Sequence, residues 1–295
     1  MNNLPSSSND QLPASVERLA ASVVGLATRR HACSGVLWRD GIVVGSASAL
    51  WRATKVSLVL PDGEQAHGDV RGLDGGTDLA AVTFTSGAMP VAERAAAAAQ
   101  RVGDFVFAVG RDPSGLLQAS FGHVGAVGGE WRTWRGGRVE RLIRLDGGLY
   151  PGLQGAPVAD ASGQVIGIAS SAFSRHHGIV IPAVTVDRVL DQLLAHGHVQ
   201  QGYLGIAGQP VRALLDGTAV DGLLISSVAD DGPAARGGLL VGDVIVKVGG
   251  KPVGSLDALR ALLQVGTQVQ LLVARGGQGH ELTLDVAQRP GSGCG

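Results

Sequence analysis

A mainly β chain in two domains is what the sequence predicts, and three observations predict it. The 46 glycines fall largely between short runs rich in Val, Ile and Leu, the pattern of tight turns joining many strands. The run Ala183 to His196 switches to helical spacing, with Val186, Val189, Leu190, Leu193 and Leu194 on one face, and closes a first long series of strands. A shorter series follows it, interrupted by a helix at Leu256 to Leu263 with Ser255 as its N-cap. At 295 residues the chain is long enough for two domains that each bury a core.

Met1 to Pro13 has the Asn, Ser and Pro content of a disordered lead-in, and Ala14 to Leu19 suits a short helix. Strands are expected at Val23 to Ala27, Ser34 to Trp38, Ile42 to Val44, Val56 to Leu60 and Leu79 to Phe84, with Asp40-Gly41 and Asp62-Gly63 as hairpin turns. Val106 to Val109, Gly122 to Val127, Arg138 to Leu145, Ala156 to Ala159, Val165 to Ser170 and Gly178 to Ile181 continue the series. That many short antiparallel strands predict a double β-barrel over residues 14–197. Beyond a boundary near Gly197 to Gln201, strands at Gly222 to Val228, Asp243 to Val248, Gln268 to Ala274 and Glu281 to Val286 make a small α+β domain over 198–288, and 289–295 a flexible tail.

A formal charge of −1 and a pI near 6.7 give no global attraction to nucleic acid or anionic membrane. No apolar run reaches membrane-spanning length. Cys33 and Cys294 have neither metal-ligand nor redox-pair spacing, and no metal or cofactor is expected. Met1 to Leu12 lacks the basic start and apolar stretch of a secretory signal, so the expected compartment is the cytoplasm, with the periplasm or exterior following if the start is misassigned.

Chemistry is concentrated in the stretch Leu145-Asp-Gly-Gly-Leu-Tyr-Pro-Gly-Leu-Gln-Gly-Ala-Pro-Val158, which has the spacing of a serine-protease nucleophile loop with Gln154 at the serine position. Gly41-Ile-Val-Val-Gly-Ser-Ala-Ser-Ala-Leu50 and Gly76-Thr-Asp-Leu-Ala-Ala-Val82 precede it in the order of a protease frame. Together with Val102 to Gly110 and Gly163 to Ile168, these segments resemble the HtrA/DegP family of trypsin-like, PDZ-containing proteases from about Val16 to Val286. The resemblance implies a chymotrypsin/trypsin-like double barrel and places Ser48 at the catalytic histidine, Asp78 at the aspartate and Gln154 at the nucleophile. Gly152 is kept in the oxyanion loop, while Leu153 and Ala156 replace the family's Asn and Gly, and an alanine there resists φ > 0.

Two of the three triad groups are thus absent. Proteolysis needs a hydroxyl to attack and an imidazole to take its proton, and a carboxamide is neither nucleophilic nor basic. The resemblance therefore implies an inactive member, a pseudoprotease. The enzymatic alternative uses displaced residues such as Ser46 or Ser170 with one of the loop histidines. A third reading is an inactive subunit that joins active homologues, as a homo- or hetero-oligomer.

In the second domain, Gln200-Gln-Gly-Tyr-Leu-Gly-Ile206 and Gly232-Pro-Ala-Ala-Arg-Gly-Gly-Leu-Leu-Val-Gly-Asp-Val-Ile-Val-Lys-Val248 resemble HtrA-type PDZ domains. This implies that Tyr203, Leu204, Gly205 and Ile206 capture the carboxylate of a peptide or protein C-terminus, with the following strand pairing to it. Leu259 is a candidate for the pocket wall, its alternative being the core. The family's basic residue before this turn is Gln201 here, a change that weakens carboxylate capture. The arginines at 132, 135, 138, 141 and 144, interleaved with Trp131 and Trp134, read as a solvated hairpin covering the family's sensor loop, with no nucleic acid expected.

Overall fold

The computed structural model describes residues 8–28, 31–85, 87, 89–96, 100–150, 152–200 and 202–288. Two compact units divide the chain, at Val199 and Gln200.

The first unit opens with helix α1 (Ser8–Ala20), which starts inside the expected lead-in and carries Pro13. Strands β1 (Val23–Ala27), β2 (Ala32–Arg39), β3 (Ile42–Ser46), β4 (Lys55–Val59), β5 (Gln65–Asp74) and β6 (Leu79–Thr83) close into a barrel in the order β1-β2-β3-β6-β5-β4. A second barrel, β11-β14-β13-β12-β7-β8, is built from β7 (Phe105–Arg111), β8 (Leu117–Gly128), β11 (Leu142–Leu145), β12 (Pro157–Asp160), β13 (Val165–Ser170) and β14 (Ile179–Pro182). A short hairpin, β9 (Trp131–Arg132) with β10 (Arg138–Val139), stands between β8 and β11. The expected strand Arg138 to Leu145 is split there, because Glu140 leaves the sheet to accept hydrogen bonds from Thr185 and Arg188 of helix α2 (Ala183–His196).

Each barrel is closed by an alternation of inward apolar residues, and a third core joins them. Leu26, Leu37, Val43, Leu58 and Val82 fill the first barrel, and Val106, Ile143, Val158, Ile166 and Val180 the second. Val36, Trp38, Val44, Phe107, Val109, Ile168 and Ile181 pack between the barrels, and α2 covers them with Val186, Val189, Leu190 and Leu193. Burial of this kind, about 25 cal/mol per Å² of apolar surface, is what holds the seam shut.

The second unit is a five-strand path β16 (Ile206–Leu215), β17 (Thr218–Val228), β18 (Val244–Val248), β20 (Gln268–Arg275), β21 (Gln278–Asp285), with β19 (Lys251–Pro252) on β18. β15 (Gly202–Tyr203) pairs with β22 (Ala287–Gln288). Helices α3 (Pro233–Arg236) and α4 (Leu256–Leu262) complete it, α4 capped as expected by Ser255, whose Oγ accepts the Ala258 N–H at 3.1 Å. Leu204, Leu223, Ile225, Ile245, Leu271 and Leu284 form its core.

Candidate functional site

The ends of β3, β6 and β13 and the loop between β11 and β12 meet where the two barrels face each other. β3 ends at Ser46 and turns through Ser48, while β6 begins after Asp78, which holds a left-handed φ of 60°. Ladder pairing of Ser46 with Leu79 sets the two turns side by side. The β11–β12 loop approaches from the other barrel and is pressed against β2 and β3 at Gly155. There φ is 78°, and a Cβ would lie 2.5 Å from the Ser34 carbonyl oxygen and 2.8 Å from the Ser46 nitrogen. Only glycine fits that crossing. The Ser34 N–H then donates to the Gln154 carbonyl at 3.0 Å, fixing where Gln154 stands.

Ser48, Asp78 and Gln154, predicted from three distant motifs, are brought together. Asp78 is 2% exposed and accepts from Ser46 Oγ (3.0 Å), the Ser48 N–H (2.8 Å) and Ser170 Oγ (2.7 Å). The Gln154 amide nitrogen donates to Ser48 Oγ at 2.5 Å and Ser46 Oγ at 2.8 Å, and stands 3.5 Å from Asp78 Oδ2. Proton accounting fixes the directions: Ser46 gives its hydroxyl proton to Asp78, so its oxygen accepts from the amide and from Ser48, 3.0 Å away. The buried carboxylate is satisfied by neutral donors alone. Neutral hydroxyls and an amide do the hydrogen bonding that an imidazole would do beside the aspartate of a working triad.

Ser46 and Ser170, considered as displaced nucleophiles, are 0% and 1% exposed and are bound to Asp78, with no imidazole partner among the described residues. Cys33, beside Ser46, is no substitute either: burial pushes its thiol up to about 12, the Asp78 charge adding to the rise against a hydrogen bond from the Ser46 backbone. A neutral buried thiol is inert as a nucleophile. Among the histidines, the His123 ring nitrogen faces Asp146 Oδ2 at 3.4 Å, on the exposed side of β8.

The oxyanion loop keeps left-handed backbone at Gly152 (φ 92°) and Gly155, not at Ala156. The expected conflict at Ala156 does not arise, because that residue keeps a negative φ and is wholly buried at the foot of β12. Leu153 turns into the core of the second barrel. Ser34, which no sequence motif marked as functional, donates from Oγ to the Gly152 carbonyl at 2.7 Å while accepting the Arg111 N–H. Among the described residues the N–H groups of Gly152 and Gln154 meet no acceptor.

The Trp-Arg hairpin is a support for Asp78. Thr133 Oγ1 donates to the Gly76 carbonyl at 2.7 Å, and Asp74 gathers the N–H groups of Gly76 and Thr77, so the loop entering Asp78 is held from both sides. Its arginines are largely engaged within the chain: Arg138 with Glu130 at 2.8 Å, Arg141 with the Gln100 carbonyl, and Arg135 stacked on Trp134.

In the second unit, the turn Leu204-Gly205 joins β15 to β16, with Gly205 at φ 79°. The Leu204 carbonyl accepts from Ala234 N–H and the Gly205 carbonyl from Ala229 N–H, at 2.9 and 2.8 Å, which ties both oxygens inward. The N–H groups of Leu204 and Gly205 have no acceptor among the described residues, the arrangement a carboxylate-binding nest requires. Tyr203 and Ile206 flank the turn half-buried, and α4 packs beside β16. Leu259, a candidate pocket residue, is 1% exposed and belongs to the core, leaving Leu256, Leu262 and Leu263 as the half-buried residues of that helix end. Gln201 lies outside the described residues.

Comparison with known proteins agrees with this geometry. Residues 33–168 match the trypsin-like peptidase domain family and residues 224–275 the PDZ domain family. A probable periplasmic serine endoprotease, DegP-like, of Chlamydia trachomatis is 33% identical over 268 residues, 86% of this chain and 53% of that protein. Its counterpart in Halomonas elongata is 34% identical over 278 residues, 90% of this chain and 58% of the relative. The chain thus spans a little over half the length of these curated relatives. A serine endoprotease structure from Yersinia pestis superposes with a TM-score of 0.78 at 25% identity, covering 98% of this chain and 100% of that one. The HtrA-type protease AlgW with a decapeptide also gives 0.78 at 25% identity, over 95% and 99%.

The cytoplasmic expectation is overturned by these relatives, which are named periplasmic. No described helix is long and apolar enough to cross a membrane. With a trypsin-like double barrel followed by a PDZ domain, and with relatives and structural neighbours of the same build, the chain belongs to the HtrA-type family of serine proteases.

Proposed function

We propose that this chain is a pseudoprotease of the HtrA type, which holds peptides or protein C-termini in its PDZ groove and does not cut them, as a periplasmic scaffold or regulator. The observation that carries the reading is the Gln154 amide donating to Ser48 and Ser46, with Asp78 behind them. Acyl transfer by this frame requires an oxygen that loses its proton to a base near neutral pH. Ser48 is hydrogen-bonded to a hydroxyl and an amide, neither of which takes a proton, so among the described residues no hydrogen-bond partner activates it. Loss of either serine or histidine from such a triad costs about a million-fold in turnover.

Peptide capture needs only main chain. The unaccepted N–H groups of Leu204 and Gly205 offer donors to a terminal carboxylate, and the open edge of β16 offers a strand to pair with. One structural neighbour, the HtrA-type protease AlgW, was solved with a decapeptide, which supports this role for the fold.

The test is two assays on one preparation of the full chain: cleavage of denatured casein, and binding of a pooled peptide library with free or amidated C-termini. Intact casein and binding that amidation weakens at least about fivefold are expected, charge-assisted hydrogen bonds being worth about 1.5–3 kcal/mol. Casein cleavage that follows this chain through every purification step would overturn the proposal.

A further inference from the structure

Pro210 lies inside β16 and pairs with Leu223 of β17. A proline has no N–H to donate, so this pair is one of the non-hydrogen-bonded kind in the antiparallel ladder. The exchanging pairs are therefore Gln209 with Leu224 and Val211 with Gly222, and the main-chain groups of Gly208, Pro210 and Arg212 point away from β17. The irregularity at Ala207 and Gly208 skips Ser226 on β17 and leaves the alternation of β16 unbroken, so Ile206 points the same way. Parity on the far side of β17 agrees: the Ile225 N–H donates to the Asp243 carbonyl at 2.8 Å, towards β18. Among the described residues β17 is the only strand paired with β16.

The open edge beside α4 thus presents Ile206 and Gly208 with both an N–H and a carbonyl, and then Pro210 with a carbonyl alone. Where a donor would stand at Pro210, the ring carbon Cδ stands instead and holds off an added strand. We infer that Pro210 is a specificity-determining residue that limits main-chain recognition to the last three or four residues of a bound C-terminus. The inference rests on the peptide-binding reading above. A terminal residue opposite Ile206, its carboxylate at the Leu204-Gly205 turn, puts the third-last residue opposite Gly208 and the fifth-last opposite Pro210. The fifth-last carbonyl then finds no donor. Ligands of this domain are accordingly short, C-terminal and tolerant of any chain, proline included, from the fifth-last position back.

The experiment titrates the full chain with fluorescent peptides of three, four, five, six and eight residues, each with a free carboxylate. The last three positions are randomised and the rest are alanine, so lengthening adds main chain only. Affinity is expected to level off at four residues, changing by less than about twofold beyond. In Pro210→Ala, whose new N–H supplies the missing donor, peptides of five residues and more gain roughly 2–10-fold while the tripeptide is unchanged. A wild-type affinity that keeps climbing beyond four residues overturns the inference and leaves peptide binding standing, and the wild-type series decides this even if the variant misfolds. A folded Pro210→Ala with no length-dependent gain also overturns it. Absence of binding at every length in both proteins overturns the peptide-binding reading and this inference with it.

Discussion

The cleft of the double barrel and the groove of the PDZ domain use hydrogen-bonding groups in opposite ways. In the cleft, the described side-chain donors are directed at other side chains: Gln154 to Ser46 and Ser48, and Ser46 and Ser170 to Asp78. In the groove, Leu204, Gly205 and the edge of β16 keep main-chain donors without acceptors among the described residues. The side chains of the cleft thus satisfy one another, while the main-chain N–H groups of Gly152 and Gln154 beside them meet no acceptor among the described residues. Unsatisfied main-chain donors at a turn and along a sheet edge suit an extended chain that ends in a carboxylate.

The largest break in this contrast comes from charging the cleft. Gln154→Glu replaces the amide donor with a second carboxylate close to Asp78 and takes away the proton that Ser48 and Ser46 accept. A loss of about 2–4 kcal/mol from the first unit at neutral pH is expected by chemical denaturation. The like charge raises the pKa of the new carboxyl in the folded state, so the deficit shrinks as pH falls towards about 5. A variant as stable as wild type would show that the amide is not holding the cleft closed.

Next in size is a test of whether the groove's domain has an electrostatic anchor of its own. Arg275 donates to both oxygens of buried Asp243, at 2.8 and 2.7 Å. Burial pushes the Asp243 carboxyl up, but the Arg275 bonds and the Leu240 N–H together outweigh it and hold the carboxyl below its ordinary 3.8. With a folded pKa below the unfolded one, this stabilisation is complete above 3.8 and is lost as pH falls through the folded value. Arg275→Met should cost about 2 kcal/mol at neutral pH, less than a fully enclosed pair because the arginine is 35% exposed. It should also flatten the acid limb of the second unit's unfolding curve, leaving the first unit's untouched.

Gly205→Val tests the groove directly. A β-branched residue at φ 79°, with its Cβ 3.2 Å from that of Ala229, strains the turn by about 1–3 kcal/mol and turns its donors aside. Peptide affinity should fall by about tenfold or more while the cleft is unaffected, measured by anisotropy. The smallest effect belongs to the surface: Lys55 and Asp69 are both largely exposed and 3.8 Å apart, so Lys55→Ala should change stability by less than about 0.5 kcal/mol.

Much of this architecture was legible in the sequence, and what was not has physical causes. Alternating Val, Ile and Leu between glycines announced the barrels, and the apolar spacing of 183–196 gave α2 to the residue. β5 escaped because two of its buried positions are Gly68 and Gly72, where a Cβ would lie 2.7 Å from Val82 in the barrel and 2.5 Å from the Gly197 carbonyl at the end of α2. Close packing there demands glycine, and glycine carries no hydrophobic signal. β16 was implied by the resemblance alone, because Gln209, Pro210 and Arg212 interrupt its strand pattern, a licence only an edge strand has.

For the site, the resemblance of three motifs to those of the HtrA/DegP family placed Ser48, Asp78 and Gln154. Their closure into one network with Ser46 and Ser170 depends on distances across two barrels, which no local pattern encodes. Ala156 looked like a fault in the oxyanion loop only because the positions needing left-handed backbone, Gly152 and Gly155, cannot be read from spacing alone.

The central claim is that the seam between the barrels holds no activated hydroxyl. Its most direct test is intact-mass spectrometry of the full chain after incubation with a fluorophosphonate, which adds to a serine only where a base has activated it. The unmodified mass alone, at every probe concentration that labels an active serine protease in the same tube, is the predicted result. A single adduct mapped to Ser46, Ser48 or Ser170 would contradict it.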